Sequence, residues 1–228
     1  MKMLKKFNHR WKDIPKIKQV NSETGRLYEV ASNTAYPSIT TVLSKTSDKS
    51  NLIRWRKRVG EDHANKITKA ATTRGTSMHQ LCENYLLNEP LDDLGSTSGE
   101  LLFRGIRPQL NDIDNIRCLE TPLFSTIFKV AGTVDCIAEY KNKLSVIDFK
   151  TSAREKKTEW IEDYFIQGCF YFMAYRELTG EMPEQVCIMI SVQDGTMQNF
   201  TLSPYDVIKY TNLLKERIKE YNGIINRA

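Results

Sequence analysis

Hydrophobic positions along the chain switch between a period of two and a period near 3.6, and the order of these stretches outlines an architecture. Gln19–Val20 and residues 26–30 flank the turn-prone run 21–25, which predicts a small hairpin. Residues 36–43 follow, with Ser38 placed to cap a helix. Residues 52–71 carry a helical pattern, and 72–79 lead into the apolar-periodic run 80–87. A polar loop rich in Gly, Ser and Asp is expected at 88–99, then a short helix at 100–109 bearing Arg104 and Arg107. Residues 116–124 read as the first core strand, with a second beginning at Phe128. A helix is expected from about 160 to 178, with Phe165, Phe170, Phe172 and Met173 in the core and Tyr164 and Tyr175 unassigned. Strands at 186–192 and 197–202 surround Asp194-Gly195, and a last amphipathic helix opens on Ser203-Pro204 and runs to about 221. This predicts an α/β fold, a central mixed β-sheet flanked by helices, without internal repeats.

The chemistry converges on one stretch. Residues 130–140 and 143–149 are rich in β-branched and aromatic residues and are separated by Lys141-Asn142, which reads as a β-hairpin. Pairing Tyr140 with Lys143 and counting back five from each sets Asp135 opposite Asp148, with Cβ atoms roughly 5 Å apart. Lys150, two residues on, leaves the strand on the same face as Asp148. Two adjacent carboxylates repel unless a cation sits between them. Oxygen ligands suit a hard ion, Mg²⁺ with Mn²⁺ as substitute. Such an ion acidifies a bound water and neutralises phosphate charge, while Lys150 positions or deprotonates the attacking water, which is phosphodiester hydrolysis chemistry.

Asp135, Asp148 and Lys150 match the D…(D/E)-x-K core of the PD-(D/E)XK nuclease superfamily. The wording from Gly132-Thr133-Val134-Asp135-Cys136 to Val146-Ile147-Asp148-Phe149-Lys150-Thr151-Ser152 resembles the RecB-type exonuclease branch, and within it the mitochondrial genome maintenance exonucleases and related phage exonucleases. The resemblance covers roughly residues 36–202. It implies that His79, in Arg74-Gly75-Thr76-Ser77-Met78-His79, is a metal ligand beside Asp135, Asp148 and the Phe149 carbonyl. Glu83, one turn beyond His79, is placed to receive a His79 N–H or act behind the ligands. Glu120 is either such a residue or an ordinary strand position. Gln167 and Tyr171 match the family's Gln-x-x-x-Tyr and share a helix face, so both would position the scissile phosphate.

Composition adds a partner. The 228 residues carry a net charge of +5, but residues 1–75 hold 17 Lys/Arg against 6 Asp/Glu and the remainder holds 16 against 22. A basic N-terminal part joined to a mildly acidic catalytic part points to nucleic acid. Arg54, Trp55, Arg56, Lys57 and Arg58 suit a single strand, with cations on phosphates and a ring for base stacking, although Trp55 fits a core position equally well. Arg74 and the loop cations Arg154, Lys156 and Lys157 complete the expected DNA contacts. The organisation expected is a basic arm at 1–35 and an exonuclease domain at 36–228, its basic helical segment at 52–74 lying over the active-site cleft. Five widely spaced cysteines without Cys-x-x-Cys exclude an iron–sulfur cluster and fit reduced thiols. With no secretory or transit pattern and no transmembrane run, a bacterial or phage-infected cytosol is expected. The resemblance implies a Mg²⁺-dependent exonuclease that threads a free single-stranded end. A duplex-dependent exonuclease or endonuclease of the same superfamily and a non-catalytic DNA-binding recombination module remain alternatives.

Overall fold

The computed structural model describes residues 5–23, 25–91 and 97–227. The middle of the expected polar loop, residues 92–96, lies outside the described residues, as do residues 1–4 of the basic arm and Thr24 of the first turn. The expected hairpin is present as β1 (Lys18–Ser22) and β2 (Gly25–Ala31), and a third strand, β3 (Thr34–Pro37), extends it to a small antiparallel sheet. Ser38 caps α1 (Ile39–Thr46), its hydroxyl accepting the Thr41 N–H at 3.0 Å.

The single helix expected at 52–71 is two helices, α2 (Ser50–Val59) and α3 (Glu61–Leu86). Gly60 between them has φ +85°, a conformation that other residues rarely adopt and that ends α2. α3 runs on without a break through residues 72–79, because its last three turns bury Met78, Leu81, Cys82, Tyr85 and Leu86. Next come α4 (Thr97–Leu110), β4 (Ile113–Ser125), β5 (Val130–Tyr140) and β6 (Lys143–Ser152). The 160–178 helix begins later than expected: Trp160 belongs to a single 3₁₀ turn and α5 spans Glu162–Thr179. The chain ends in β7 (Gln185–Val192), β8 (Met197–Leu202) and α6 (Pro204–Ile225), and Ser203 and Asp206 form a reciprocal cap at the start of α6.

The main sheet has strand order β4-β5-β6-β7-β8 and is antiparallel except for β6 and β7. Parallel neighbours need a crossover, which α5 supplies. All eight residues of β7 are buried, which is why its middle, residues 186–190, reads as an unbroken apolar run. One core lies between the sheet and α1, α5 and α6, with Phe165, Phe170, Phe172 and Tyr175 at its centre. The other lies between the sheet and α3 and α4, and Phe7 of the basic arm is buried in it. The arm follows β4, with the Arg10 and Lys12 amides donating to the Ile116 and Arg117 carbonyls. No helix among the described residues is long and apolar enough to cross a membrane.

Candidate active site

The β5–β6 turn has the register that its length requires. Tyr140 pairs with Lys143 and the ladder continues to Cys136–Ile147, one step short of Asp135 and Asp148. Lys141 and Asn142 have φ of 51° and 63°, the positive pair of a type I′ turn, so Lys-Asn adopts the geometry more familiar from Asn-Gly.

On the other side of β5 the pairs Leu119–Cys136 and Thr121–Val134 bracket a gap that holds Glu120 and Asp135. Thus Glu120, Asp135 and Asp148 occupy one row across three strands, and backbone pairing is missing on both sides of Asp135, while Asp148 still pairs with Ile188 of β7. Glu120 has φ +43°, a left-handed conformation uncommon outside glycine and asparagine. Asp135 replaces a ladder bond with its side chain: Oδ2 accepts the Phe149 N–H at 2.7 Å. The irregularity also reverses which residues face which core. Val134 and Ile137 lie in the α5 core, whereas Cys136 and Ala138 lie in the α3–α4 core.

Into this row α3 projects His79, whose Nδ1 lies 3.7 Å from Asp135 Oδ1 and 3.9 Å from Glu120 Oε1. One ligand atom from each of His79, Glu120 and Asp135 lies within 4.8 Å of the others, a trio able to hold a metal ion. Burial pulls the His79 pKa down, but Asp135 and Glu120 outweigh it and hold it above its ordinary value. The structure therefore moves Glu120 from an outer position to one beside His79. Glu83 does not receive the His79 N–H; it accepts from Gln80 Nε2 at 3.0 Å, and burial with the Glu120 charge raises its pKa. The family resemblance points to Glu120 as one of two readings; the local pattern of residues 116–124 does not choose between them, because the β4–β5 turn sets the register that brings it beside His79.

Asp148 is fully buried, and its pKa is pushed up to about 6 by burial and by Asp135, against the opposing pull of Lys150. Lys150 Nζ forms an ion pair with Asp148 Oδ2, and Oδ1 has no partner. An orphaned carboxylate oxygen is costly; Asp148 lies outside the His79–Glu120–Asp135 trio but is close enough to feel the charges of Asp135 and His79. Burial lowers the Lys150 pKa, yet Asp148 and Asp135 raise it more, so Lys150 is an ammonium in this arrangement. Its Nζ sits 5.2 Å from the centre of the Tyr164 ring, which gives that unassigned tyrosine a place in the site.

Gln167 and Tyr171 meet on α5, Nε2 donating to the phenol oxygen at 3.4 Å. A Cβ on Gly132 would lie 2.8 Å from the Tyr171 hydroxyl, so the bare backbone there lets Tyr171 approach the strand that carries Asp135. Burial first, and then the charges of Asp135 and Asp148, keep the Tyr171 phenol protonated far above its ordinary range. Sequence reasoning did not single out Tyr28. Its fully buried side chain hydrogen-bonds Thr133 at 3.0 Å and anchors the small sheet to β5 two residues before Asp135.

The remaining cations are dispersed. Arg54, Lys57 and Arg58 are exposed on α2, Trp55 is half-buried, and Arg56 is engaged by Glu61 and Asn65. Arg154 and Lys157 are exposed in the β6–α5 loop, Lys157 lying over the Trp160 ring, and the Lys156 backbone is held by the Gln198 side chain. Arg74 is half-buried on α3, five residues before His79.

No protein-family model matches the chain. It is 31% identical over 176 residues to the Homo sapiens protein named mitochondrial genome maintenance exonuclease 1, covering 70% of this chain and 50% of that protein. The Xenopus tropicalis protein of the same name is 29% identical over 206 residues, covering 83% and 58%. The chain spans about half the length of the curated relatives it matches. These similarities support a relationship to an exonuclease family.

Proposed function

We propose that this chain is a metal-dependent DNA exonuclease of the PD-(D/E)XK, RecB-like type, hydrolysing single strands from a free end during DNA replication, recombination or repair. The row Glu120–Asp135–Asp148, with His79 above it and Lys150 beside it, carries the reading. A structural role alone gives no reason to keep a buried carboxylate oxygen unpaired within reach of the Asp135 charge. The names of the related proteins support exonuclease chemistry independently.

His79, Glu120, Asp135 and Asp148, with the Phe149 carbonyl, would hold Mg²⁺ or Mn²⁺. One nitrogen and several carboxylate oxygens suit such an ion. When bound, a divalent ion supplies an acidified water and neutralises charge on the phosphate. Lys150, held by Asp148 and placed over the Tyr164 ring, donates to the attacking water or to a phosphate oxygen rather than removing a proton, since its neighbours keep it charged. The Gln167 amide and the Tyr171 hydroxyl donate to the scissile phosphate. Arg54, Lys57 and Arg58, with Trp55 among them, bring the strand to the site through phosphate contacts and base stacking.

The deciding experiment is digestion of linear single strands labelled at either end, with and without Mg²⁺, beside duplex and circular controls. Release of labelled products from the linear single strand alone, and only with metal, is expected. Rapid cutting of circles would replace the exonuclease reading with an endonuclease, and absence of any hydrolysis would leave a DNA-binding module.

A further inference from the structure

A groove between α5 and α6 opens on the side of α5 turned away from the candidate site. Two clefts of about 410 and 540 Å³ meet there and share Met173, Arg176, Thr211 and Lys215. The smaller reaches Ile127 and Phe128 at the β4–β5 turn, and the larger reaches Met182, Tyr205 and Ile208. Ile127 is 74% exposed, Tyr205 82% and Ile208 63%, so large apolar side chains gather in one concavity instead of being scattered singly. At about 100° per residue, Met173 and Arg176 lie about 140–160° around α5 from Tyr171, so a molecule seated in the groove stays clear of Gln167 and Tyr171.

The rim of the groove is cationic. Arg176 and Lys215 are exposed, and neither makes a side-chain hydrogen bond or ion pair among the described residues. Glu177, the one carboxylate lining either cleft, is occupied by Ser125 and Thr126. Charge and shape together select the occupant. A nucleic-acid strand would neutralise the cations but leave Ile127, Met182 and Ile208 in water, since phosphate contacts use polar and charged groups. A second copy of the chain joined by a two-fold axis would set Arg176 and Lys215 against their own copies. One wall runs along α6 from Pro204 to Lys215, about 16 Å or three turns, which matches a helix presenting anchors at i, i+3 or i+4 and i+7. We infer that this groove docks an acidic amphipathic helix of a partner protein, its apolar side chains entering the two clefts and its carboxylates pairing with Arg176 and Lys215. The inference is independent of the exonuclease reading and gives the chain a recruitment surface separate from its candidate site.

The test is anisotropy titration of three labelled designed helices that share Leu anchors at i, i+3 and i+7 and carry Glu, Gln or Lys at the flanking positions. The wild type binds the acidic helix about tenfold more tightly than the basic one, the ratio expected of two partly exposed charge pairs. Arg176→Glu/Lys215→Glu, which changes exposed positions only, reverses that order. Ile208→Ser weakens binding of the acidic helix by at least about tenfold, as loss of a central apolar anchor does. A control, Leu101→Ser, removes an exposed apolar side chain on α4 and leaves binding unchanged. Melting temperatures within a few degrees of the wild type exclude misfolding as the cause. Failure of all three helices to bind, equal affinity for them, an unaltered order in the charge-reversed variant, full binding by Ile208→Ser or an equal loss in Leu101→Ser overturns the proposal. A wild-type dimer that Ile208→Ser dissociates in sedimentation overturns it as well, by assigning the groove to a second copy of the chain. No DNA is present in these titrations, so a protein that hydrolyses no DNA would refute the exonuclease reading without changing their outcome.

Discussion

The candidate metal row at Glu120, Asp135 and Asp148 and the exposed projection formed by α2 and the first turns of α3 are both charged, and they are built on opposite physical terms. Asp148 is buried completely, with one oxygen unpaired, on β6, whose pairing with β7 runs unbroken from Ser145 to Ser152. α2 buries none of its ten residues, and in the first ten residues of α3 only Ala64 is buried. In the row, low dielectric makes each charge–charge interaction strong, and the protein holds it together through the packing of β5, β6 and α3. On α2, Arg54, Lys57 and Arg58 are solvated and interact weakly with the rest of the molecule, Arg56 is tied to Glu61 and Asn65, and Leu52 and Ile53 are exposed beside them. Geometry-dependent chemistry belongs in the first environment, and adaptable contact with a flexible polyanion belongs in the second. Substitutions should therefore separate: row changes alter turnover and metal response, and projection changes alter affinity alone.

The largest expected effect is in the row. Lys150→Ala should reduce turnover at saturating single-stranded DNA by about 10²–10³, as for loss of one preorganised charge, while binding stays nearly intact. Asp148→Asn should abolish activity. Near-normal single-turnover rates for Lys150→Ala would remove it from the chemistry. A smaller effect comes from His79→Ala, which should raise the Mg²⁺ concentration at half-activity by at least about tenfold. Metal also offers a readout free of turnover. In the wild type, Mg²⁺ or Mn²⁺ should raise the melting temperature, gaining about 2.7 kcal/mol at a concentration of 100 Kd. His79→Ala should shift that titration, and an unchanged metal response would return His79 to a purely structural role.

The projection supplies the next test. Replacing Arg54, Arg56, Lys57 and Arg58 by Gln should flatten the salt dependence of single-strand binding by about 0.7 for each phosphate that these cations neutralise. Melting should move by no more than about 0.5 kcal/mol, because no side chain of α2 is buried. Trp55→Ala divides the two readings of that ring: loss of stacking costs about 1–3 kcal/mol of DNA affinity, whereas loss of packing lowers thermal stability. Unchanged affinity and slope in the four-cation variant would detach α2 from the substrate.

The smallest effect calibrates the comparison with an ordinary carboxylate. Glu177 on α5 ties down the β4–β5 turn, accepting from the Ser125 hydroxyl at 2.6 Å and the Thr126 amide at 2.8 Å. Burial raises its pKa, but these donors outweigh it and hold it below the ordinary value. Its contribution to stability is therefore fully present above the unfolded-state pKa and is lost as pH falls through the lower folded-state value. Glu177→Gln should cost about 1 kcal/mol at neutral pH and shrink the loss of stability on acidification. Asp148 has the opposite sign in metal-free protein. Its folded pKa near 6 means that ionisation costs stability as pH rises from the unfolded value to about 6. Denaturant unfolding across this pH range, with and without metal, distinguishes the two groups.

Much of the fold was readable from local patterns. The alternation of β5 and β6, the two residues between them and the Ser203-Pro204 start of α6 are short-range signals, and the strands and helix lie where they predict. Gly60 was an available signal for the break between α2 and α3, outweighed by the continuous helical pattern around it. The candidate site was only partly readable. Asp135, Asp148 and Lys150 are joined by a two-residue turn, so counting along the chain brings them together. Glu120 and Tyr164 join through contacts spanning a longer turn and a helix crossover, which counting alone does not locate.

By itself, then, the sequence determined the elements, the β5–β6 register and the identity of the charged groups, because each depends on residues a few positions apart. Tertiary structure decided which of those groups share a dielectric environment. The interruption of both ladders at Asp135, the unpaired Asp148 oxygen and the ring beneath Lys150 all depend on distant segments packing together. Burial and electrostatic coupling are properties of that packing, and no pattern along one segment contains them.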